Sequence, residues 1–482
     1  MPQIISKVVN HTVHEVKSSS NNCTTIIKHL QNTLNTLEKR ALDDCLKLFD
    51  DTIAELNTTI LDLSKKPSYS NDLQTLLSGA MTNLYTCLDG FSESKNGNAV
   101  RGLIEQKVIE ISHHVSNSLA MLNKVKRSLK KKEEEVYAEY GRMKKGFPSW
   151  VSAKDRKLLE GSNVNESKVD VVVAKDGSGN FTTIAEAVDM APNSSTTRFV
   201  IYIKSGAYFE NVEVIRKKIN VMFIGDGIGR TIVKANRNVV DGWTTFQSAT
   251  VAVVGQGFIA KGITFENSAG PDKHQAVALR SSADFSAFYK CSFVGYQDTL
   301  YVHSLRQFYR ECDIYGTVDF IFGNAAVVFQ NCNLYAHKPN ENQKNLFTAQ
   351  GREDPNQNTG ISILNCKIAA ASDLIPVKSS FKSYLGRPWK QYSRTVYLRS
   401  YMEDLIDPKG WLEWNETFAL DTLYYGEYMN RGPGSNTSGR VNWPGYRVIN
   451  SSNEASQFTV GQFIQGSEWL NNTGIPFFYN LS

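Results

Sequence analysis

Two aspartates stand at equivalent places in two copies of one short unit. FYKCSF (Phe288 to Phe293) leads to Asp298, and FYRECDI (Phe308 to Ile314) leads to Asp319, each seven positions beyond its cysteine. The unit returns as VFQNCNL (Val328 to Leu334) and ISILNCKI (Ile361 to Ile368), so Cys291, Cys312, Cys332 and Cys366 recur at intervals of 21, 20 and 34 residues. Such intervals are those of a solenoid, in which each short coil buries its apolar face only by stacking on the next. In a parallel β-helix, residues at equal offsets lie above one another at about 4.8 Å. Asp298 and Asp319 are therefore expected to be stacked neighbours. Two carboxylates that close cannot both ionise cheaply, so one apparent pKa should rise and the other fall, as an acid and a nucleophile require. Gln275 and Gln297, 22 residues apart, are expected to stack beside them and to offer amide donors to a developing oxyanion. The rival reading places the same residues at turns of a solvated solenoid face.

The elements that must hold these side chains follow from patterning. After Lys168 the chain breaks into short β-branched runs, VDVVVAKDG, RFVIYIKSG, INVMFIGDG and ATVAVVGQG, each closed by glycine turn chemistry. GDGIGR, from Gly225, has the glycines of a phosphate loop but no helix pattern after it, and is read as a solenoid turn. Cys291 with Cys312 and Cys332 with Cys366 are candidate disulfide pairs, with stacked buried thiols as the alternative. In LGRPWK, Arg387 can grip a carboxylate with two parallel N–H groups and Trp389 can stack on the apolar face of a sugar, unless Trp389 is simply a core anchor. The aromatic stretches Trp411 to Tyr428 and Phe458 to Phe478 are expected to cap the open end and wrap back along the flank.

Upstream, leucine and isoleucine recur at spacings of three and four as far as Leu129, in NTLNTLEKRALDDCLKLFDDTIAELNTTILDL and two later blocks. This is the pattern of an antiparallel helical bundle. His113 and His114 are read as surface residues of a helix rather than metal ligands. Lys130 to Gly146 is a charged run without an apolar face, a solvated linker. The expected organisation is thus a helical bundle over 1–129, a linker over 130–167 and an all-β parallel β-helix over 168–482.

Composition narrows the function classes. The chain has 482 residues, 53 basic and 48 acidic, for a net charge of +5. This mild excess suits an acidic polymer and is too weak to argue nucleic-acid binding. Seven cysteines leave at least one unpaired. Glycosylation sequons stand at Asn10, Asn22, Asn57, Asn165, Asn180, Asn193, Asn415, Asn436, Asn450, Asn471 and Asn480, a density that favours a secreted protein. MPQIISKVVN does not have the basic and apolar blocks of a signal peptide. No stretch reaches the roughly 18 apolar residues of a membrane span. There is no GxSxG nucleophile elbow, which leaves a serine-hydrolase route without support.

Three segments, GYQDTLY, GTVDFIFGNA and YLGRPWK, resemble the signature segments of plant pectin methylesterases, and the likeness runs from about Val169 to the C-terminus. It implies a right-handed parallel β-helix that hydrolyses the methyl esters of polygalacturonate with no cofactor and no metal. By this resemblance Asp319 is the nucleophile, Asp298 the general acid and then base, and Gln275 and Gln297 the oxyanion donors. Arg387 and Trp389 would bind substrate together with Gln275 and with Thr245 of DGWTTF, and Arg387 would hold Asp319 ionised. ALDDC, ending at Cys45, and YTCLDGF, around Cys87, resemble the pectin methylesterase inhibitor domain, where these two cysteines bridge neighbouring helices. That family carries an earlier cysteine pair, and only Cys23 is present here, so the first element of the bundle is expected to be missing. Arg156, Lys157, Leu158 and Leu159 resemble the motif at which a subtilisin-like protease separates the two regions, an incidental dibasic pair being the alternative. The implied partners are pectin, that protease and a proteinaceous inhibitor, in the extracellular cell wall. The rivals are a pectate lyase, which needs a calcium site, a polygalacturonase, which flanks a glycosidic bond with carboxylates, and an interaction protein whose β-helix is inert.

Overall fold

The bundle begins with amphipathic helices whose valines and leucines share one face. In the computed structural model, which describes residues 2–30, 32–65, 71–94, 97–130, 143–144, 147–148 and 169–481, these are α1 (Pro2–Leu30), α2 (Thr36–Lys65) and α3 (Asn71–Asp89). A short α4 (Gly97–Gly102) and α5 (Glu105–Lys130) follow. The break before α2 falls near the start of the periodic run that begins at Asn32. Asn35 caps it reciprocally: Glu38 N–H donates to Asn35 Oδ1 at 2.9 Å and Asn35 N–H to Glu38 Oε2 at 3.0 Å. Helices α1 and α3 each pack on α2 and α5, burying Val13, Val16, Leu42, Phe49, Leu56, Leu77, Leu84, Ile111 and Leu119. Cys45 and Cys87 form the disulfide between α2 and α3, and Cys23 is a buried free thiol. No described helix is long and apolar enough to cross a membrane.

The chain divides into two units, Met1–Glu139 with Asn238–Ser248 and Arg352–Thr359, and Tyr140–Arg237 with Ala249–Gly351 and Gly360–Ser482. Within the first, the segment Asn238–Ser248 is fastened to α2. Gln247 Nε2 donates to Asp44 Oδ1 at 2.6 Å, Thr244 Oγ1 donates to the same carboxylate, and the Arg40 guanidinium lies 3.4 Å from the centre of the Trp243 ring. Most of the expected linker, and all of Arg156, Lys157, Leu158 and Leu159, lie outside the described residues.

The second unit is a right-handed parallel β-helix with three sheets of eleven, eight and seven strands. Its inward ladder on the eleven-stranded sheet runs Ile201, Phe223, Ala260, Phe288, Tyr309, Phe329, Ile363 and Tyr397, one residue per coil. Phe288 stacks on Tyr309 at 4.7 Å and Tyr309 on Phe329 at 4.6 Å between ring centres. Beyond Tyr397 the ladder reaches Glu427, which takes Arg440 Nε at 2.8 Å and Nη2 at 3.2 Å and the Trp411 indole N–H at 3.3 Å. That buried charge is paired and hydrogen-bonded, as burial demands. The tail residues Phe458, Val460, Phe463, Trp469, Leu470 and Phe477 cover the outer face of the eleven-stranded sheet, so the aromatic stretches both cap and wrap.

The four coil cysteines occupy equivalent corners but are free and buried, which differs from the pairing Cys291 with Cys312 and Cys332 with Cys366. Each follows a residue in the left-handed region, Lys290, Glu311, Asn331 and Asn365, at φ of 50°, 51°, 56° and 52°. Their thiols donate to carbonyls of the adjoining strands, Cys312 to Phe288 at 3.4 Å and Cys366 to Leu364 at 3.4 Å. Side chains repeated in one conformation point in parallel at a rung spacing of about 4.8 Å. A disulfide needs Cβ atoms about 3.8 Å apart and facing each other. Ser400, after Arg399 at φ 49°, continues the ladder by donating to Ile363 and Leu398 carbonyls.

Candidate active site

The seven-stranded sheet, β1 (Val212–Val214), β2 (Val251–Val253), β3 (Leu279–Ser281), β4 (Leu300–Val302), β5 (Ile321–Gly323), β6 (Asn345–Gln350) and β7 (Ser383–Pro388), carries the site. Leu300 pairs with Ile321, and Asp298 and Asp319 each stand two residues before these partners. Asp298 N–H donates to the Val318 carbonyl at 3.1 Å, so the two turns are stacked as well as the strands. Both aspartates are in the left-handed region, at φ 61° and 52°, a conformation that Asp tolerates better than most residues. Gly316 permits the second turn, because a Cβ there would lie 2.1 Å from Phe320 Cβ. The two carboxylate residues are largely enclosed, 8% and 5% exposed.

Arg387, on β7, closes on Asp319 as a fork. Its Nε donates to Oδ1 at 2.9 Å and its Nη2 to Oδ2 at 2.6 Å. Burial would lower the Arg387 pKa, but the charge and hydrogen bonds of Asp319 and the charge of Asp298 outweigh it and raise it. A guanidinium bound so tightly to one carboxylate is a fixed positive charge in the site.

Gln297 stands three residues before paired Leu300 and Gln275 four before paired Leu279. The two amides are thus one position out of register rather than stacked at one offset. Ala276, not Gln275, donates its N–H to the Gln297 carbonyl at 3.2 Å. The 22-residue interval against a 21-residue coil is the cause. Thr245 lies within Asn238–Ser248, which belongs to the first unit.

Trp389 lies against backbone at Gly351, where a Cβ would meet the indole at 2.8 Å. It belongs to an aromatic floor absent from the expected site. Tyr301 stacks on Phe322 at 4.2 Å, and Phe322 meets Trp389 edge-on at 6.0 Å. Tyr301 and Phe322 are each three residues after one of the two stacked aspartates, a repeated D-x-x-aromatic spacing that the chain displays openly. Trp414 has no such signal. Its ring centre is 4.2 Å from Arg387 Cζ, a contact made by a loop far along the chain.

The arrangement can do acyl transfer: a carboxylate fixed by a guanidinium, a second carboxyl at the same offset one rung away, Gln297 next to it in the chain, and ring faces for a sugar. Residues 170–467 match the pectinesterase family. The chain belongs to that family. Residues 2–121 match the plant invertase/pectin methylesterase inhibitor family. A probable pectinesterase/pectinesterase inhibitor of Arabidopsis thaliana is 56% identical, over 99% of this chain and 90% of its own length. Pectinesterase 3 of Citrus sinensis is 52% identical over 99% of this chain and 84% of its own. Among solved structures, carrot pectin methylesterase aligns with a TM-score of 0.65 and 60% identity, over 65% of this chain and 98% of that one. A pectin methylesterase mutant in complex with a hexasaccharide aligns at 0.52 with 28% identity, over 64% and 99%. As a pectinesterase family member, the chain places its family segments GYQDTLY, GTVDFIFGNA and YLGRPWK on the adjacent turns and strands just described.

Proposed function

We propose that this pectinesterase removes methyl esters from methyl-esterified homogalacturonan by way of an acyl-enzyme on Asp319, outside the cell in the plant wall. An Asp319 oxygen attacks the C6 carbonyl carbon of a methylated galacturonate. The developing oxyanion is received by the amides of Gln297 and Gln275. As the C6–O bond to the methoxy group breaks, Asp298 passes its proton to the leaving oxygen and methanol departs. Asp298, now a carboxylate, takes a proton from water. The hydroxide equivalent attacks C6 and releases galacturonate with Asp319 restored. Arg387 holds Asp319 in place through both steps, and Trp389 with Tyr301 and Phe322 receives the apolar faces of the sugar rings.

The observation that carries this reading is the bidentate grip of Arg387 on Asp319, one coil from the equally offset Asp298. Trimming at Arg156 to Leu159 by a subtilisin-like protease, and association with a proteinaceous inhibitor, belong to the same reading through the family likeness. The test is methanol release measured beside unsaturated products and new reducing ends. Methanol alone is expected, and Asp319→Ala is expected to abolish it while circular dichroism stays unchanged. Substantial turnover by that variant would remove Asp319 as nucleophile, and unsaturated products would favour a lyase.

A further inference from the structure

The loop beyond β7 carries a feature that the esterase reaction does not use. Glu413 to Phe418 are all exposed, Trp414 by 38%, and the Phe418 N–H closes a turn on the Asn415 carbonyl at 2.9 Å. Asn415, Glu416 and Thr417 form a sequon on that turn. Asn193, Asn450 and Asn480 are exposed like Asn415, whereas three other sequon asparagines of the second unit engage one amide atom locally. Asn180 Oδ1 accepts from Val172 N–H at 2.8 Å, Asn436 Oδ1 accepts from Ser438 N–H at 3.0 Å, and Asn471 Nδ2 donates to the Ser467 carbonyl. The exposed Asn415 side chain has no such bond among the described residues, and its neighbour Trp414 packs on the guanidinium that holds Asp319.

We propose that Asn415 carries an N-linked glycan that shields Trp414 and narrows the mouth of the carboxylate site to polymeric substrate. This rests on the extracellular esterase reading above, since the modification belongs to the secretory route. Asn415 Nδ2 bonds to C1 of a lipid-pyrophosphate-linked oligosaccharide. The C1–oxygen bond to pyrophosphate breaks, the amide loses one proton, and the lipid pyrophosphate leaves. A bulky hydrophilic chain one residue from Trp414 then occupies solvent that an arriving polysaccharide must cross. It leaves the chemical step itself untouched, so its mark is on KM rather than kcat.

The experiment compares four full-length proteins secreted from a eukaryotic host: wild type, Asn415→Gln, Thr417→Ala and Thr417→Ser. The wild type and Thr417→Ser are expected to show an occupied Asn415 glycopeptide and a Trp414 protected from hydroxyl-radical oxidation. Asn415→Gln and Thr417→Ala are expected to lose both. Their KM for methylated homogalacturonan should fall about threefold, with kcat unchanged. An unmodified Asn415 peptide in the wild type, or equal Trp414 oxidation and equal KM across the four, would overturn the proposal. Failure of the esterase reading is separately visible, as absence of methanol from every protein whatever the glycopeptide shows.

Discussion

Arg387 illustrates how little of a residue's role lies in its charge alone. A lysine in its place keeps one positive charge but cannot present two parallel N–H groups to the Asp319 oxygens. Arg387→Lys is expected to lower kcat on the order of tenfold to a hundredfold, because an attacking carboxylate set loose by about an ångström loses its aim. Wild-type methanol release by this variant would show that the fork does not position the nucleophile. Gln297→Ala is expected to lower kcat on the order of a hundredfold, the usual cost of one oxyanion donor. Because Gln275 stands one position out of register with Gln297, Gln275→Ala and Gln297→Ala are expected to differ in size when assayed side by side. Equal losses would mean that the two amides act at equivalent places after all.

At the scale of the element, the coil is held by what it buries. Phe288 lies between Phe258 at 5.8 Å and Tyr309 at 4.7 Å, and Phe288→Ala leaves a void on the coil that leads to Asp298. A loss of about 3 to 5 kcal/mol is expected, read as a lower denaturant midpoint. His303, next to β4, is wholly buried, with Ser282 Oγ 3.0 Å and Ser304 Oγ 3.1 Å from Nδ1. Burial, helped by the charge of Arg280, pushes its pKa well below 6.5. The unfolded chain therefore binds a proton below about pH 6.5 that the folded coil refuses, so stability is full above that pH and declines as pH falls. The unfolding temperature of the β-helix is expected to fall between pH 7 and pH 5, and His303→Asn to flatten that slope. An unchanged slope would assign the acid sensitivity to other groups.

At the scale of the whole chain, Arg156 to Leu159 lie between the residues that match the two families. The first unit contains Asn238–Ser248, and with it Thr245, fastened through Thr244 and Gln247 to Asp44 of α2. Methanol release is expected to rise after proteolysis at Arg156 to Leu159, the cut that the proposed processing would make. Equal rates before and after would show that the uncleaved chain is already competent. Much of this protein was legible in its residue order. The seven-residue step from Cys291 to Asp298, repeated from Cys312 to Asp319, dictates stacked carboxylates, because a coil of constant length brings equal offsets to equal places. Leucine periodicity likewise announces the bundle, and Arg387 and Trp389 announce themselves by type. Other features answer to no local pattern. The cysteine ladder remained thiols because identical corners point their sulfurs in parallel, a fact of the turn and not of the spacing. Trp414 reaches Arg387, and residues 238–248 join the helices, because folding brings together segments whose separation along the chain carries no periodic signal.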